Sequence, residues 1–540
     1  MKKEFLDYVI FERKPMPELT IYDSTLRDGA QAEGISFSVE DKLMIARQLD
    51  DFGVDYIEGG WPNPTNPKDL EFFIRVKALE LEKAKITAFG STRRAGNKPE
   101  HDAILNTLLS AETQTIALFG KSWDLHVTDV LGTTLDENLR MIADSIAFLK
   151  ARGREVLYDA EHYFDGYKDN PKYALDTLIA AQEGGAILIV LCDTNGGCMP
   201  LEIQQIIAET KKVLSVPFGI HTHNDSGVAV ANTILAVQSG AIQVQGTING
   251  YGERCGNANL CTVLPNLKLK LGIDCISEEQ LSALMKLSRF VSEIANVAHD
   301  HRQAYVGESA FAHKGGAHVD GVIKNARSFE HINPELVGNE RRFLISDQSG
   351  GSTIVRMLEN VRPGVEKRDP IVGKILAEVK EKEHRGYAYE AANGSFEILT
   401  RKVMGTYQER FETKSFRTVI RRDEDGRLFS EAIVELLVDG VEEHTVAKGD
   451  GPVHALDNAL RKALERFYPQ LREVHLRDYK VRVLSSADGT AARVRVLIES
   501  SDGKEVWGTV GASENIIEAS WEALVDSLSY KLLKDEARET

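Results

Sequence analysis

The N-terminal part of the chain contains the segment Ile21-Tyr22-Asp23-Ser24-Thr25-Leu26-Arg27-Asp28-Gly29-Ala30-Gln31. A β-rich run, Leu19–Tyr22, ends there in polar residues and a glycine, which predicts a strand that leads into a loop. Arg27 and Asp28 place a guanidinium and a carboxylate side by side in that loop. An adjacent Arg and Asp usually form a surface ion pair, so a functional role depends on what the fold brings next to them.

A second polar cluster follows the apolar run at 216–220 and begins with His221 and His223. Side chains at positions i and i+2 of a strand point to the same face, so the two imidazoles project together. A single histidine is more often a core or surface residue, but two at strand spacing beside Asn224 and Asp225 favour a divalent-metal site. An imidazole pair with one carboxylate and open positions suits a catalytic metal better than a structural one.

Short apolar runs alternate with amphipathic helical patterns from about residue 19 to residue 290. This alternation predicts a (β/α)8 TIM barrel, and a doubly wound open sheet is the alternative. The open sheet is disfavoured because no Gly-x-Gly-x-x-Gly follows the first strand. The predicted strands are Leu19–Asp23, Val54–Glu58, Lys85–Gly90, Thr115–Phe119, Glu155–Glu161, Ile187–Asp193, Pro217–His223 and Ile242–Asn249.

Polar clusters follow most of these strands at their C-terminal ends, which is where barrel enzymes place catalytic groups. Any one cluster carries little weight because polar residues are common in loops. Their recurrence at the same end of most of the strands predicts an active site there. The clusters contain Arg27, Asp28, Glu58, Arg93, Asp159, Glu161, Thr194, His221, His223 and Asn257.

The pattern changes beyond the barrel. Residues 291–365 lose the alternation and contain His313 and His318 among glycines, which indicates either a mobile catalytic segment or a tight turn. Residues 365–405 mix Lys and Glu and predict a solvated helical linker. Further on, a pattern starting at Thr445 recurs at Thr509, a period of 64 residues, and each copy reads as strands followed by one helix. The predicted domains are 1–290, 291–405 and 406–540, the last an α+β domain with a βββα repeat.

Composition excludes several classes of function. The 540 residues carry a net charge of −17, with a pI near 5.4. Nucleic acid and anionic membranes are therefore not expected partners. Acidic residues interrupt the apolar part of 1–14, so no signal peptide is predicted. The longest apolar run, Ala186–Cys192, is too short to span a membrane. Together with an odd count of five cysteines, this predicts a reduced, cytoplasmic protein.

With these motifs assembled, the chain resembles the family of acyltransferases that add acetyl-CoA to 2-oxo acids, namely the 2-isopropylmalate, homocitrate and citramalate synthases. The resemblance covers nearly the whole chain and is carried by Asp23–Gly29, His221–Asp225, Gly252–Asn257 and the Gly449–Pro452 entry to the repeat. Residues 61–68 and 331–340 look most like the citramalate synthase branch. That branch implies pyruvate as the acceptor, (R)-citramalate and CoA as products, and a place in isoleucine biosynthesis.

The resemblance also implies roles for individual residues. A divalent metal (Mg, Mn or Zn) would be held by Asp28, His221, His223 and Asn257. Arg27 would stabilise the alkoxide that forms on the acceptor, and Thr194 would hold the acceptor carboxylate. Glu161 and His318 would carry the proton chemistry on the methyl group of acetyl-CoA, the co-substrate.

The family implies a homodimer, in which the His318 segment covers the barrel mouth of the other subunit. It also implies an amino-acid effector, here isoleucine, bound by the C-terminal domain. One position departs from the family pattern, because a Tyr that assists catalysis corresponds to Phe329. Phe cannot donate or relay a proton, so either Tyr305 or another group replaces that Tyr, or its role is dispensable, or activity is weaker.

Three other functions remain open. A sister synthase would use a larger or dicarboxylic 2-oxo acid. A metal-dependent acyl-CoA lyase would share the barrel but needs a catalytic Cys in a Gly-Cys-Pro loop, whereas Cys255 is followed by Gly256 and Asn257. A non-catalytic amino-acid sensor would have no need of intact metal-binding and arginine positions together.

Overall fold

The computed structural model describes residues 18–63, 65–359, 361–484 and 486–539. They divide into two compact units: residues up to Phe311 with Ile332–Arg341, and Ala312–His331 with the residues from Arg342 onward. The predicted absence of a signal peptide concerns residues 1–14, which lie outside the described residues. Within the described ranges, every helix is too short or too polar to cross a membrane. The domain boundaries at 290 and 405 remain predictions.

The first unit contains a closed barrel of eight strands in sequential order. Neighbouring strands are parallel, and the last strand pairs with the first, so the predicted (β/α)8 barrel is confirmed. The strands are β1 (Thr20–Asp23), β2 (Tyr56–Gly60), β3 (Lys85–Ser91), β4 (Thr115–Lys121), β5 (Glu155–Glu161), β6 (Leu188–Asp193), β7 (Phe218–Thr222) and β8 (Gln243–Gly246). The helices are α1 (Val39–Phe52), α2 (Pro67–Arg75), α3 (Ala103–Ser110), α4 (Leu135–Lys150), α5 (Tyr163–Asp169), α6 (Pro171–Gly184), α7 (Pro200–Thr210), α8 (Ala229–Gln238), α9 (Leu260–Pro265), α10 (Glu278–Ser282) and α11 (Leu284–Ile294).

The strands are recognisable in the sequence because a barrel strand is covered on both faces. All residues of β6 and β7 are buried, as expected of parallel strands that read as nearly continuous apolar runs. Inside the barrel lies a packed layer rather than a pore, formed by Tyr22, Phe89, Ala117, Leu157, Leu188, Val190 and Cys192.

Of the predicted strands only β5 has the observed bounds, the others differ by one to three residues at one or both ends, and two of these differences have a clear local reason. Strand β2 begins at Tyr56 rather than Val54 because the Val54 amide donates to the Leu49 carbonyl at the end of α1. Strand β4 continues to Lys121 rather than Phe119 because its pairing with β5 continues to the Lys121–Glu161 pair. This extension brings the Lys121 side chain to the same end of the barrel as Glu161.

The second unit contains two antiparallel three-stranded sheets, each followed by a helix. Both copies share one apolar core, so the predicted βββα repeat is confirmed. The elements are β9 (Ala312–His313), α12 (Gly316–Lys324), β10 (Arg342–Phe343), α13 (Gly351–Leu358), α14 (Pro370–His384), α15 (Asn393–Met404), β11 (Phe411–Arg422), β12 (Leu428–Val438), β13 (Val441–Gly449), α16 (Pro452–Leu464), β14 (His475–Val483), β15 (Val494–Ser501), β16 (Val506–Ser513) and α17 (Ile516–Glu539).

Residues 365–405 differ from the predicted solvated linker. Their two helices, α14 and α15, bury Val372, Ile375 and Phe396 in a separate apolar cluster. Helix α15 also docks on the second repeat, where the Ser395 hydroxyl accepts the Val510 amide at 3.0 Å. The Lys and Glu residues that suggested solvation lie on the outer faces of amphipathic helices.

Candidate active site

The C-terminal end of the barrel brings three predicted metal ligands together. Asp28 lies in the loop after β1, His221 near the end of β7, and His223 directly after β7. The two His Nε2 atoms are 3.3 Å apart, and they lie 3.6 and 3.9 Å from Asp28 Oδ2. All three side chains are buried, and one ligand atom from each lies within 4.8 Å of the others. This is the arrangement expected from the i, i+2 spacing of the histidines.

Asn257 joins the same cluster from the loop after β8. It forms a backbone bridge with His223, and its Nδ2 donates to the Tyr251 carbonyl at 3.2 Å. Its Oδ1 is therefore the atom that remains available. Asn257 Oδ1, Asp28 Oδ1 and His223 Nδ1 are all buried without a hydrogen-bond partner among the described residues. Unpartnered buried polar atoms are costly, and this mixed nitrogen and oxygen set fits a divalent cation.

The ionisation states favour cation binding. Burial lowers the pKa of His221, and burial together with the neighbouring His221 lowers the pKa of His223 to about 3. Burial acts to raise the pKa of Asp28, but Arg27, the two neighbouring histidines and Asn257 together outweigh it and hold that pKa well below its ordinary value. At neutral pH the cluster therefore consists of one carboxylate and two neutral imidazoles, the forms that ligate metals.

Arg27 is held rigidly beside this cluster. Its Nε donates to Glu58 Oε2 at 2.7 Å, and its Nη1 donates to Asp28 Oδ2 at 3.0 Å. The guanidinium carbon lies 3.8 Å from the centre of the Phe89 ring, a cation–π distance. Glu58 is fully buried and also accepts the Tyr22 hydroxyl at 2.8 Å. The described residues provide no hydrogen-bond partner for Arg27 Nη2, which leaves it available to a ligand.

Two further predicted residues are positioned by their neighbours. Thr194 Oγ1 accepts the His162 amide at 2.9 Å, so the hydroxyl proton of Thr194 remains available to donate. Glu161 is ion-paired with Lys121, whose Nζ contacts only one of the two carboxylate oxygens, Oε2. Both arrangements orient a polar atom while leaving capacity for a substrate.

A cavity of about 460 Å³ opens at this end of the barrel. One wall is aromatic: the Phe89 and Phe119 rings stack with centroids 5.1 Å apart, and Trp61 meets them edge-on at 5.9 and 5.5 Å. Six predicted site residues line the cavity, namely Arg27, Asp28, Glu161, Thr194, His221 and His223.

His318 belongs to the second unit, so its role remains a prediction. It is exposed on α12, and its ring stacks on Phe329 with centroids 4.2 Å apart. Gly321 makes this packing possible, because a Cβ there would lie 2.5 Å from the Phe329 ring. Tyr305, the suggested replacement for the family Tyr, is buried and donates its hydroxyl to Asn266 Oδ1 at 2.9 Å.

Sequence analysis missed Lys121 and Gln245, and it noted Glu58 without linking it to Arg27. Lys121 lay beyond the predicted end of its strand. Gln243 and Gln245 carried a usable signal, because two polar residues at i, i+2 spacing within an apolar strand point to the same buried face. The Glu58–Arg27 contact carried none, since the residues are 31 positions apart.

Comparison with known proteins agrees with this geometry. Residues 18–291 match the HMGL-like family model. The chain belongs to the HMGL-like family. Beyond this HMGL-like barrel, residues 305–386 match a homocitrate synthase post-HMGL domain-like model, and residues 390–532 match the LeuA allosteric (dimerisation) domain.

Relatives match along almost their whole length. An (R)-citramalate synthase from Geobacter sulfurreducens is 55% identical, over 96% of this chain and 99% of that protein. Another from Aquifex aeolicus is also 55% identical, over 96% of this chain and 98% of that protein. A probable 2-isopropylmalate synthase from Methanopyrus kandleri is 33% identical, over 94% of this HMGL-like chain and 98% of that protein.

Proposed function

We propose that the protein condenses acetyl-CoA with pyruvate and hydrolyses the resulting thioester, giving (R)-citramalate and CoA. The observation that carries this proposal is the convergence of Asp28, His221, His223 and Arg27 on one cavity with an aromatic wall. The 55% identity to the (R)-citramalate synthases of Geobacter sulfurreducens and Aquifex aeolicus, against 33% to the probable 2-isopropylmalate synthase, supports the choice of acceptor.

Asp28, His221 and His223 would hold a divalent cation (Mg²⁺, Mn²⁺ or Zn²⁺), with Asn257 Oδ1 as a further ligand. The unpartnered buried oxygens of Asp28 and Asn257 support this assignment. Once bound, the cation would supply Lewis-acid polarisation of the acceptor's keto group. The carboxylate of Asp28 keeps its negative charge in this role because Arg27 lies against it.

Arg27 would stabilise the negative charge that develops on the keto oxygen as the bond to the acetyl methyl carbon forms. Its contacts with Glu58 and Asp28 fix the plane of the guanidinium and leave Nη2 for the substrate. The Thr194 hydroxyl would donate to the acceptor carboxylate, since its oxygen already accepts the His162 amide. Both groups are in place before the substrate binds, which lowers the cost of ordering them.

Removal of a proton from the methyl group of acetyl-CoA needs a positioned base. We assign this step to His318, because histidine is the side chain that most often serves as a general base. Its ring is already packed against Phe329, which limits its rotation. Glu161, anchored by Lys121, would orient His318 or relay the proton through water. Phe329 has no proton to donate, so in this proposal the proton chemistry rests on Glu161 and on His318 of the other subunit of the expected homodimer.

The aromatic wall favours a small acceptor. Phe89 packs against Arg27 on one side and Phe119 on the other, and Trp61 closes the edge. In this proposal the acceptor's side chain packs against these rings, where the methyl group of pyruvate requires less room than the branched chain of 2-oxoisovalerate or the acidic chain of 2-oxoglutarate. This packing disfavours the 2-isopropylmalate and homocitrate synthase activities. Cys255 followed by Gly256 disfavours the lyase.

The C-terminal repeats would dimerise the protein and bind isoleucine as an inhibitory effector. The match of residues 390–532 to an allosteric (dimerisation) domain supports dimerisation and the binding of an effector. We place the enzyme in the cytoplasm, where both substrates of the proposed reaction are available.

The test is thiol release from acetyl-CoA with pyruvate, 2-oxoisovalerate and 2-oxoglutarate in turn, each with and without a chelator. We expect fast release with pyruvate only, lost on chelation and restored by added divalent metal. Thiol release with another 2-oxo acid would leave the proposed mechanism in place but would show that the choice of pyruvate is wrong. Release that survives complete metal removal would overturn the role of Asp28, His221 and His223.

A further inference from the structure

Gln245 lies on the inner face of β8, directly behind the imidazole of His221. Its Oε1 is 3.0 Å from His221 Nδ1, and both side chains are buried. Gln245 is not among the residues that line the cavity. Any effect of Gln245 on the site therefore has to pass through His221.

Two neighbours determine which way the Gln245 carboxamide faces. Its Nε2 donates to Gln243 Oε1 at 3.3 Å and lies 3.5 Å from Asp159 Oδ1. With the NH₂ group on this side, each of the two oxygens has a donor, and the carbonyl oxygen of Gln245 faces His221. The reverse orientation would place oxygen against oxygen on one side and would make His221 Nδ1 the acceptor, so that Nε2 carried the proton instead.

This orientation selects one tautomer of His221. Because Gln245 Oε1 can only accept, Nδ1 of His221 carries the proton, and the lone pair of a neutral ring lies on Nε2. Nε2 is the atom that faces His223 and Asp28. His223 differs, since its buried Nδ1 has no partner among the described residues. Only one of the two imidazoles is thus held in a metal-ready form by the protein.

We infer that Gln245 is a positioning residue for the metal site, which holds His221 in the tautomer and ring orientation that ligate a divalent cation. The inference deepens the proposed function and rests on its metal assignment. Partners of this kind behind a ligating histidine typically change metal affinity by about 10- to 100-fold. Gln245 would therefore act on metal affinity, and on turnover only through it.

The test measures the affinity of the full-length protein for Co²⁺ and Zn²⁺ by calorimetry, together with the visible absorption spectrum of bound Co²⁺. Three variants are compared with the wild type. Gln245→Met removes the acceptor at similar size, Gln245→Glu keeps an acceptor in the same place, and Gln243→Met makes the same change on the same strand without touching His221. Thermal melting establishes that each variant is folded.

We expect Gln245→Met to bind about 10- to 100-fold more weakly with an altered Co²⁺ spectrum. Gln245→Glu keeps the acceptor for His221 but loses the donor to Gln243 and Asp159, so it should stay within about tenfold of the wild type. Gln243→Met should stay within about threefold, because Asp159 still orients Gln245. Folded Gln245→Met with wild-type affinity and spectrum would overturn the inference. Should Gln245→Met not fold, more than tenfold weaker binding by Gln245→Glu would overturn it. If the wild type bound neither Co²⁺ nor Zn²⁺, the metal would drop out of the proposed function and this inference would fail with it. If only the 2-oxo acid substrate proved to be a different one, the metal assignment and this inference would both stand.

Discussion

The rim of the barrel and the second C-terminal repeat both bury charge, but they treat it differently. At the rim, Asp28 and His223 converge with buried atoms that the described residues leave without partners. In the repeat, the buried Lys531 lies between Asp502 and Asp535, at 2.8 and 2.9 Å, so opposite charges are in contact there, although Asp535 Oδ2 is also buried without a hydrogen-bond partner among the described residues. An unpartnered buried polar atom costs about 1–3 kcal/mol. The rim is therefore maintained at a cost in stability, as expected of a ligand site, whereas the Lys531 cluster fastens α17 to its sheet.

Exchanging a carboxylate for an amide should separate the two regions most clearly. Asp28→Asn should lower turnover by roughly 10³-fold or more, because several kcal/mol of metal-dependent stabilisation are lost, with little change in melting temperature. Asp502→Asn should leave turnover within about twofold but lower stability by on the order of 1–3 kcal/mol, since Lys531 retains only Asp535. Thiol release and thermal denaturation measure both. Equal loss of stability in the two variants would erase the distinction.

Replacing arginine by lysine should give the next largest contrast. Arg27→Lys keeps the charge but loses the planar fork that contacts Glu58, Asp28 and the Phe89 ring, so turnover should fall roughly 10²- to 10³-fold. The matched control is Arg401→Lys in α15, where an i, i+4 pair with Glu397 is replaced by a similar pair. Steady-state kinetics of both variants should show a loss only at Arg27. A comparable loss of turnover in Arg401→Lys would mean that the effect of the lysine substitution is not specific to the barrel rim.

The smallest expected effect is a pH dependence of folding stability that arises from one group in the C-terminal unit. Burial raises the pKa of Asp526 from 3.8 to about 6, against the hydrogen bond from Ser395. The folded state then binds the proton more tightly than the unfolded state, so stability from this group rises as pH falls from about 7 towards 4. Asp526→Asn should raise the melting temperature more at pH 8 than at pH 5. If Asp526→Asn changed the melting temperature equally at pH 8 and pH 5, the raised pKa of Asp526 would be contradicted.

Most of the barrel could be predicted because its signals are local. Strand β5 was predicted with its observed bounds, Glu155–Glu161, because its short β-rich run, Val156–Tyr158, is flanked by polar residues. The joint projection of His221 and His223 followed from strand alternation alone. The prediction of a solvated linker at 365–405 rested on Lys and Glu content alone and was misleading, because a Lys- and Glu-rich helix can still bury one apolar face.

The local sequence thus determined the order of strands and helices, the repeat in the C-terminal unit, and the end of the barrel at which the polar residues gather. Only the tertiary structure decided that Glu58 holds Arg27, that Lys121 holds Glu161, and that Gln245 lies behind His221. The reason is physical. Periodicity and turn chemistry are properties of neighbouring residues, whereas these hydrogen bonds join different strands, and their existence depends on the register at which the barrel closes.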